Sequence, residues 1–312
     1  METADKSRVK VWLMAIRPQT LPAAAAPVVV GTGLAVRNGV FAPLPAVAAL
    51  VGAALIQIGT NLTNDYYDAV KGADTEEREG FTRVTQAGLV VPERVRLGAA
   101  VAYGSAVLVG LYLTYVGGLP ILAVGVLAVI SGIAYTAGPY PLGYHGLGDV
   151  FVFVFFGVVA VTGTYYVQAA EALVASPFPT KIPSGTVPVE AVVASLTMAG
   201  ISTNVLVVNN IRDMETDRAA GKRTLAVLLG YGGSRTQYVS LLAVAYAVPP
   251  VLWLGYGFEP SVLAPLLTVP YAAAVTRTVL TRTDGEALNP ALEQTGKLLG
   301  GFAVLFGIGM AV

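Results

Sequence analysis

The 312-residue chain contains no cysteine and a single histidine. The first absence excludes disulfides, thiolate metal sites and cysteine nucleophiles. The second leaves no imidazole pair to hold a metal. Charge is also scarce: Asp, Glu, Lys and Arg together make up 12% of the residues, about half the usual share in soluble domains. Nineteen basic and nineteen acidic side chains cancel, so bulk electrostatics points to no nucleic-acid partner. What is abundant is apolar: 55% of the residues are hydrophobic and the mean hydropathy is +0.68.

Apolar runs of roughly twenty residues recur along almost the whole chain, each long enough to cross ~30 Å of hydrocarbon as a helix. The expected fold is an all-α polytopic membrane protein, one integral membrane domain over 1–312. Nine transmembrane helices are expected, near 11–36, 43–65, 94–116, 119–137, 149–170, 189–212, 236–256, 259–280 and 296–312. The first apolar stretch is longer than a signal-peptide core and lacks a clear cleavage site, which reads as a retained helix. Gly/Pro pairs such as "GGLP" at 117–120 and "GFEP" at 257–260 predict tight hairpins. Cations then orient the bundle. Seventeen of the nineteen basic residues fall on one side of it, leaving Arg37 and Lys181 opposite. By the positive-inside rule that side is cytoplasmic, with the N-terminus inside and the C-terminus outside a multi-pass cell-membrane protein.

Against this apolar background two stretches stand out. "NLTNDYYDAVKGAD" (61–74) closes the second expected span, and "NNIRDMETDRAAGKRT" (209–224) closes the sixth. Residues three or four apart share a helix face. Asn61, Asn64, Asp65 and Asp68 therefore form one polar stripe, and Asn209, Asp213 and Asp217 form a second, with Asn210 beside them. Asn61 and Asp65 repeat as Asn209 and Asp213 at the same spacing, as in a degenerate duplication. Carboxylates and amide carbonyls are hard oxygen donors suited to Mg2+, an ion typically held by one or two carboxylates together with substrate phosphates. Lys71, Lys222 and Arg223 add the cations that a diphosphate needs. Two such stripes facing each other would hold two Mg2+ ions bridged by a pyrophosphate, a leaving group whose growing charge is stabilised electrostatically. The attached carbon skeleton would enter the apolar bundle. The substrate implied is a lipid diphosphate.

Both stretches resemble the aspartate-rich motifs of the UbiA superfamily of intramembrane aromatic prenyltransferases, and the likeness extends over most of the chain. Within it, "RPQTLPAAAAPVVVGTGLA" from Arg17, "NDYYDAVKGADT" from Asn64 and "YTAGPYPLGYHGLGDVFVFVFFG" from Tyr135 are most similar to the branch that prenylates 1,4-dihydroxy-2-naphthoate. The resemblance implies a helical bundle with a central cavity under cytoplasmic cap loops. It implies Mg2+-dependent transfer of a polyprenyl group from its diphosphate to dihydroxynaphthoate with decarboxylation, giving demethylmenaquinone and diphosphate. By the same resemblance Asp65 and Asp68 ligate one metal ion with Asn61, and Asp213 and Asp217 ligate the other. Lys71, Arg212, Lys222 and Arg223 are the diphosphate contacts it implies. Arg17, Asn64, Asn209 and Tyr135 are acceptor-binding candidates, although Arg17 equally fits a topology anchor. Where some superfamily members place Lys four residues after a Tyr, Tyr135 is followed at that distance by Pro139, so no Lys-dependent role transfers.

Other features read more plainly. His145 fits local hydrogen bonding in its loop, and Asp149 fits a helix cap. "GTG" at 31–33 lacks a nucleotide-binding context. "GKLLG" at 296–300 is a pattern common at helix contacts. Segment 72–93 predicts a loop that orders over the diphosphate, and 171–188 an extracytoplasmic connector. Two other functions stay open: a prenyltransferase for 4-hydroxybenzoate, homogentisate or another acceptor, and a secondary transporter built on intramembrane carboxylates. Prenyl chain length and oligomeric state are not legible.

Overall fold

A backbone crossing hydrocarbon must satisfy its own N–H and C=O groups, and this chain does so with helices. The structure is a computed structural model that describes residues 7–70 and 83–312. Among these residues every regular element is helical. The elements are α1 (Arg8–Ile16), α2 (Leu21–Arg37), α3 (Pro43–Val70), α4 (Pro92–Ala134), α5 (Gly148–Val152), α6 (Ala160–Leu173), α7 (Val189–Arg212), α8 (Met214–Ala219), α9 (Leu225–Tyr256), α10 (Val269–Thr281) and α11 (Gly285–Ala311). A π-helical stretch, Phe153–Val159, joins α5 to α6, so Gly148–Leu173 forms one rod.

Among the described residues seven helices are long and apolar enough to cross a membrane, which makes this a multi-pass membrane protein. The spans expected near 94–116 and 119–137 lie in α4, a 43-residue helix interrupted at Gly118, whose φ of 64° and ψ of −153° are not helical. A side chain there would collide with the carbonyl of Pro179. That same carbonyl accepts from Leu119 N–H at 2.9 Å, and Phe178 N–H donates to Tyr115 O at 2.8 Å. Part of the 171–188 connector is thus docked on the turn. Two further helices start earlier than hydropathy implies, α9 at Leu225 and α11 at Gly285. Each has a side-chain cap, Thr224 accepting from Val227 N–H and Asp284 from Ala287 N–H. Such caps start a helix ahead of its main apolar run; in α9 the non-helical Gly230 (φ 68°, ψ 178°) separates the first turn from that run.

Small residues set the closest helix contacts, as is usual in membranes. Gly33 of α2 rests on Gly307 of α11, and Gly157 of the π stretch rests on Ala199 of α7, each too close for an added Cβ. The glycines of "GKLLG" are different. Gly296 and Gly300 have no neighbouring heavy atom where a Cβ would sit, and both border a cavity inside the bundle.

One irregularity positions the site. α1 ends at Arg17, which takes the left-handed conformation (φ 57°, ψ 69°), and a 3-10 turn (Pro18–Thr20) leads into α2. Pro18 and Pro22 lack N–H groups, and each falls in a first turn where that donor would be unpaired anyway.

Candidate active site

A cavity of about 980 Å³ runs through the bundle. Its apolar walls include Ile121, Leu122, Val129, Phe155 and Phe156. The π stretch helps here: in seven residues it turns both Phe155 and Phe156 to the same space, as such segments tend to do at functional sites. Val107, Leu111, Val126 and Ile130 of α4 border the cavity and stay exposed.

The polar end is built by the two stripes. Asn61, Asn64 and Asp68 come from the last turns of α3; Asn209, Asn210 and Asp213 come from the end of α7, and Asp217 from α8. All seven border the one cavity. A chain of contacts joins them across it. Tyr144 O–H donates to Asp68 Oδ1 at 2.5 Å, the Tyr144 ring lies 4.8 Å from Lys222 Nζ, and Lys222 Nζ sits 3.4 Å from Asp217 Oδ1. Backbone fixes this bridge: Arg223 N–H donates to Tyr144 O at 2.8 Å, and Lys222 N–H to Asp217 O at 2.9 Å.

The individual candidates divide by what their side chains touch. Asp68 Oδ2 accepts from Arg83 Nη2 at 2.6 Å, both side chains being buried. Asp65 is placed differently. It is 1% exposed, does not border the cavity, and accepts from Val84 N–H at 3.1 Å and Thr85 N–H at 3.2 Å. Its carboxylate anchors the segment that follows the α3–α4 connection. Asn64 Oδ1 accepts from Thr136 Oγ1 at 2.9 Å. Asn61 Nδ2 donates to Ile16 O at 2.9 Å and to Thr20 Oγ1 at 2.8 Å, bracing the break at Arg17, itself a cavity residue. Tyr135 borders the cavity at the end of α4.

Two diphosphate candidates stand away from the cavity. Arg212 is turned back into the protein: Nε donates to Asp213 Oδ1 at 2.7 Å, Nη2 to Asp213 Oδ2 at 2.8 Å and Asn209 Oδ1 at 2.9 Å, and Nη1 to Asn289 Oδ1 at 2.8 Å. The bidentate fork makes Arg212 the holder of Asp213. Arg223 is exposed and does not border the cavity; its tie to the site is through backbone. Lys222 does border it. Lys71 lies outside the described residues, as does the first half, 72–82, of the loop expected to cover the diphosphate.

The sequence reading passed over Arg83 and Gln57. Arg83 was counted only as a topology cation, and no spacing rule connects it to Asp68 across the intervening loop. Gln57 had a signal: it lies one helical turn before Asn61 on the same face. Of the residues set aside, His145 behaves as expected, with Nδ1 2.8 Å from Pro141 O and its ring stacked on Tyr140. Asp149 does not cap its helix; it is buried and accepts from Gln237 Nε2 at 2.9 Å.

The donor set fits a magnesium diphosphate. Among the described residues no group of three or more carboxylate or imidazole side chains is assembled to hold a metal unaided. Asp68 comes from α3 and Asp213 and Asp217 from the α7–α8 junction, and all three border the one cavity. That arrangement suits an ion held by one or two carboxylates and completed by phosphate oxygens.

Comparison with known proteins gives the same picture. Residues 24–299 match the UbiA prenyltransferase family. The 1,4-dihydroxy-2-naphthoate octaprenyltransferase of Escherichia coli (strain K12) is 37% identical, over 97% of this chain and 96% of its own length. The Mycobacterium tuberculosis (strain ATCC 25618 / H37Rv) protein of the same name is 36% identical, over 91% of each. Among solved structures, a UbiA homolog from Archaeoglobus fulgidus bound to GPP and Mg2+ superposes with a TM-score of 0.63 at 16% identity, covering 97% of this chain and all of that one. The apo structure of a UbiA homolog from Aeropyrum pernix K1 gives 0.64 at 15% identity, covering 92% and 96%.

Proposed function

Because the chain belongs to the UbiA prenyltransferase family, we propose that it transfers a polyprenyl group from its diphosphate to 1,4-dihydroxy-2-naphthoate, with loss of the carboxylate. The observation that carries this reading is the meeting of two acid–amide stripes at the polar end of one cavity whose remaining walls are apolar. A diphosphate headgroup and a polyprenyl tail need those two environments in one continuous space.

In this reading Asp68, with Asn64 or Asn61, and Asp213 with Asp217, hold Mg2+, which supplies electrostatic stabilisation of the departing diphosphate. Lys222 and Arg83 place positive charge beside that headgroup. Asp65 acts from behind, fixing the backbone at Val84 and Thr85 and with it Arg83. Phe155, Phe156 and Tyr135 exclude water from the allylic carbon and offer it π faces. The electron-rich ring supplies the carbon nucleophile, so no serine or cysteine nucleophile is needed.

The membrane arrangement follows from cation placement: nine crossings, with α4 counted as two at Gly118 and α11 as the last. The N-terminus and the polar end of the cavity face the cytoplasm, and the C-terminus lies outside. The test is an acceptor panel on purified protein with one prenyl diphosphate. Pyrophosphate release that requires both Mg2+ and dihydroxynaphthoate supports the reading. Equal release with 4-hydroxybenzoate or homogentisate, or none with any acceptor, overturns it.

A further inference from the structure

Gln57 lies on the cavity face of α3 one turn before Asn61, and its side chain borders the cavity while being only 8% exposed. Its amide orientation is dictated by a chain of hydrogen bonds that begins at a backbone carbonyl. Ile16 O can only accept, so the Asn61 atom 2.9 Å from it is Nδ2. Thr20 Oγ1 gives its proton to Arg17 O at 2.9 Å and accepts from Asn61 Nδ2 at 2.8 Å. The other Asn61 atom, Oδ1, must then accept, and the Gln57 atom 3.4 Å from it is Nε2, which also donates to Thr20 Oγ1 at 3.1 Å. The network uses both Gln57 N–H directions and leaves Oε1 over. That oxygen is buried and has no hydrogen-bond partner among the described residues.

A buried carbonyl oxygen without a donor is uncommon and marks a place where something outside the protein completes the site. Ala53 and Ile56, the cavity residues just before Gln57 on α3, carry no side-chain donor, and the Thr20 proton is already committed. A hydroxyl in the cavity can supply the donor. The terminal amide torsion is soft, so a small turn presents Oε1 to a ligand. Eleven residues at 1.5 Å each set Gln57 about 16 Å along α3 from Asp68. Gln57 thus lies further along α3 than the acid stripe, on the wall of the cavity that an acceptor would share.

Building on the function proposed above, we propose that Gln57 Oε1 accepts a hydrogen bond from a ring hydroxyl of the aromatic acceptor and so selects for a free phenol at that position. The prenyl diphosphate has no O–H to offer there, so the contact discriminates among acceptors and is indifferent to the donor.

The test compares dihydroxynaphthoate with each of its monomethyl ethers at fixed prenyl diphosphate, in wild type, Gln57→Leu and Gln57→Met. Wild type is expected to prefer the free hydroxyl over one of the ethers by roughly tenfold or more in kcat/KM, the cost of leaving a buried acceptor unpaired. Both variants should lose roughly tenfold on dihydroxynaphthoate, mainly through its KM, turn over that ether as well as the free phenol, and keep the KM for prenyl diphosphate within about twofold. Gln57→Met keeps the length and unbranched shape, so it serves where Gln57→Leu does not fold. An unchanged ether preference in the variants overturns the proposal. So does a parallel rise in both KM values with lowered Tm, which would make Gln57 a brace for Asn61 and Thr20 alone. No turnover of any acceptor by wild type is a different failure: it removes the proposed function, and this inference with it.

Discussion

Arg212→Lys is the substitution whose outcome the structure determines most closely. The guanidinium makes four hydrogen bonds, two to Asp213 and one each to Asn209 and Asn289, and its side chain is 2% exposed. A lysine ammonium is a point donor on a different stem. It can keep the charge beside Asp213 but not the two-pronged grip and the reach to Asn289. Losing two charge-assisted bonds at about 1.5–3 kcal/mol each gives roughly 3–6 kcal/mol of lost positioning, an upper figure because Lys recovers part of it. Outer partners of metal ligands typically change metal affinity by about 10–100-fold, or roughly 1.4–2.7 kcal/mol, which falls below that upper figure as partial recovery by Lys requires. The assay is a Mg2+ titration of pyrophosphate release in detergent, with the KM for prenyl diphosphate measured at saturating Mg2+. The expected result is a midpoint raised about 10–100-fold with the prenyl diphosphate KM little changed. The reverse pattern, an unmoved midpoint and a raised KM, would put Arg212 on the diphosphate and refute the positioning role.

Other substitutions separate roles that spacing alone merges. Asp213→Ala should abolish turnover while leaving membrane insertion intact, checked by activity beside membrane-fraction yield; residual full activity at limiting Mg2+ would remove Asp213 from the metal site. Asp65→Ala strands the buried N–H groups of Val84 and Thr85, about 1–3 kcal/mol apiece, and should show as faster hydrogen exchange at those two amides. Tyr144→Phe removes one charge-assisted bond to Asp68 and is expected to lower kcat/KM roughly tenfold to a hundredfold without loss of Tm. Gly33→Ala drives a methyl into the Gly307 backbone and should cost about 1–3 kcal/mol by overpacking, read as a lower Tm in detergent. Gly104→Ala, which meets nothing within 4 Å, is its silent control.

The fold was legible because apolar length is written directly into composition. The errors fall where a helix starts ahead of its main apolar run. α11 begins at a cap, Asp284, in a stretch too polar for a hydropathy window, and α9 begins at Thr224 with a short apolar turn that Gly230 separates from the main span. The acid stripes were legible for a similar reason: helical spacing fixes which face a residue occupies. Spacing does not fix which way a side chain leans on that face. Asp65 and Asp68 share a stripe, yet one caps a backbone segment and the other borders the cavity. Arg212 and Lys222 both accompany the second stripe, and only Lys222 reaches the cavity. Those distinctions come from tertiary partners, Val84, Thr85 and Asn289, that are distant in sequence.

Val107, Leu111, Val126 and Ile130 line the cavity and are not sealed over by packing. A chamber with so open a side cannot act as a closed ruler for the chain it receives. The far isoprene units of a long tail can trail between these residues into the surrounding acyl chains, a medium as apolar as the chamber itself.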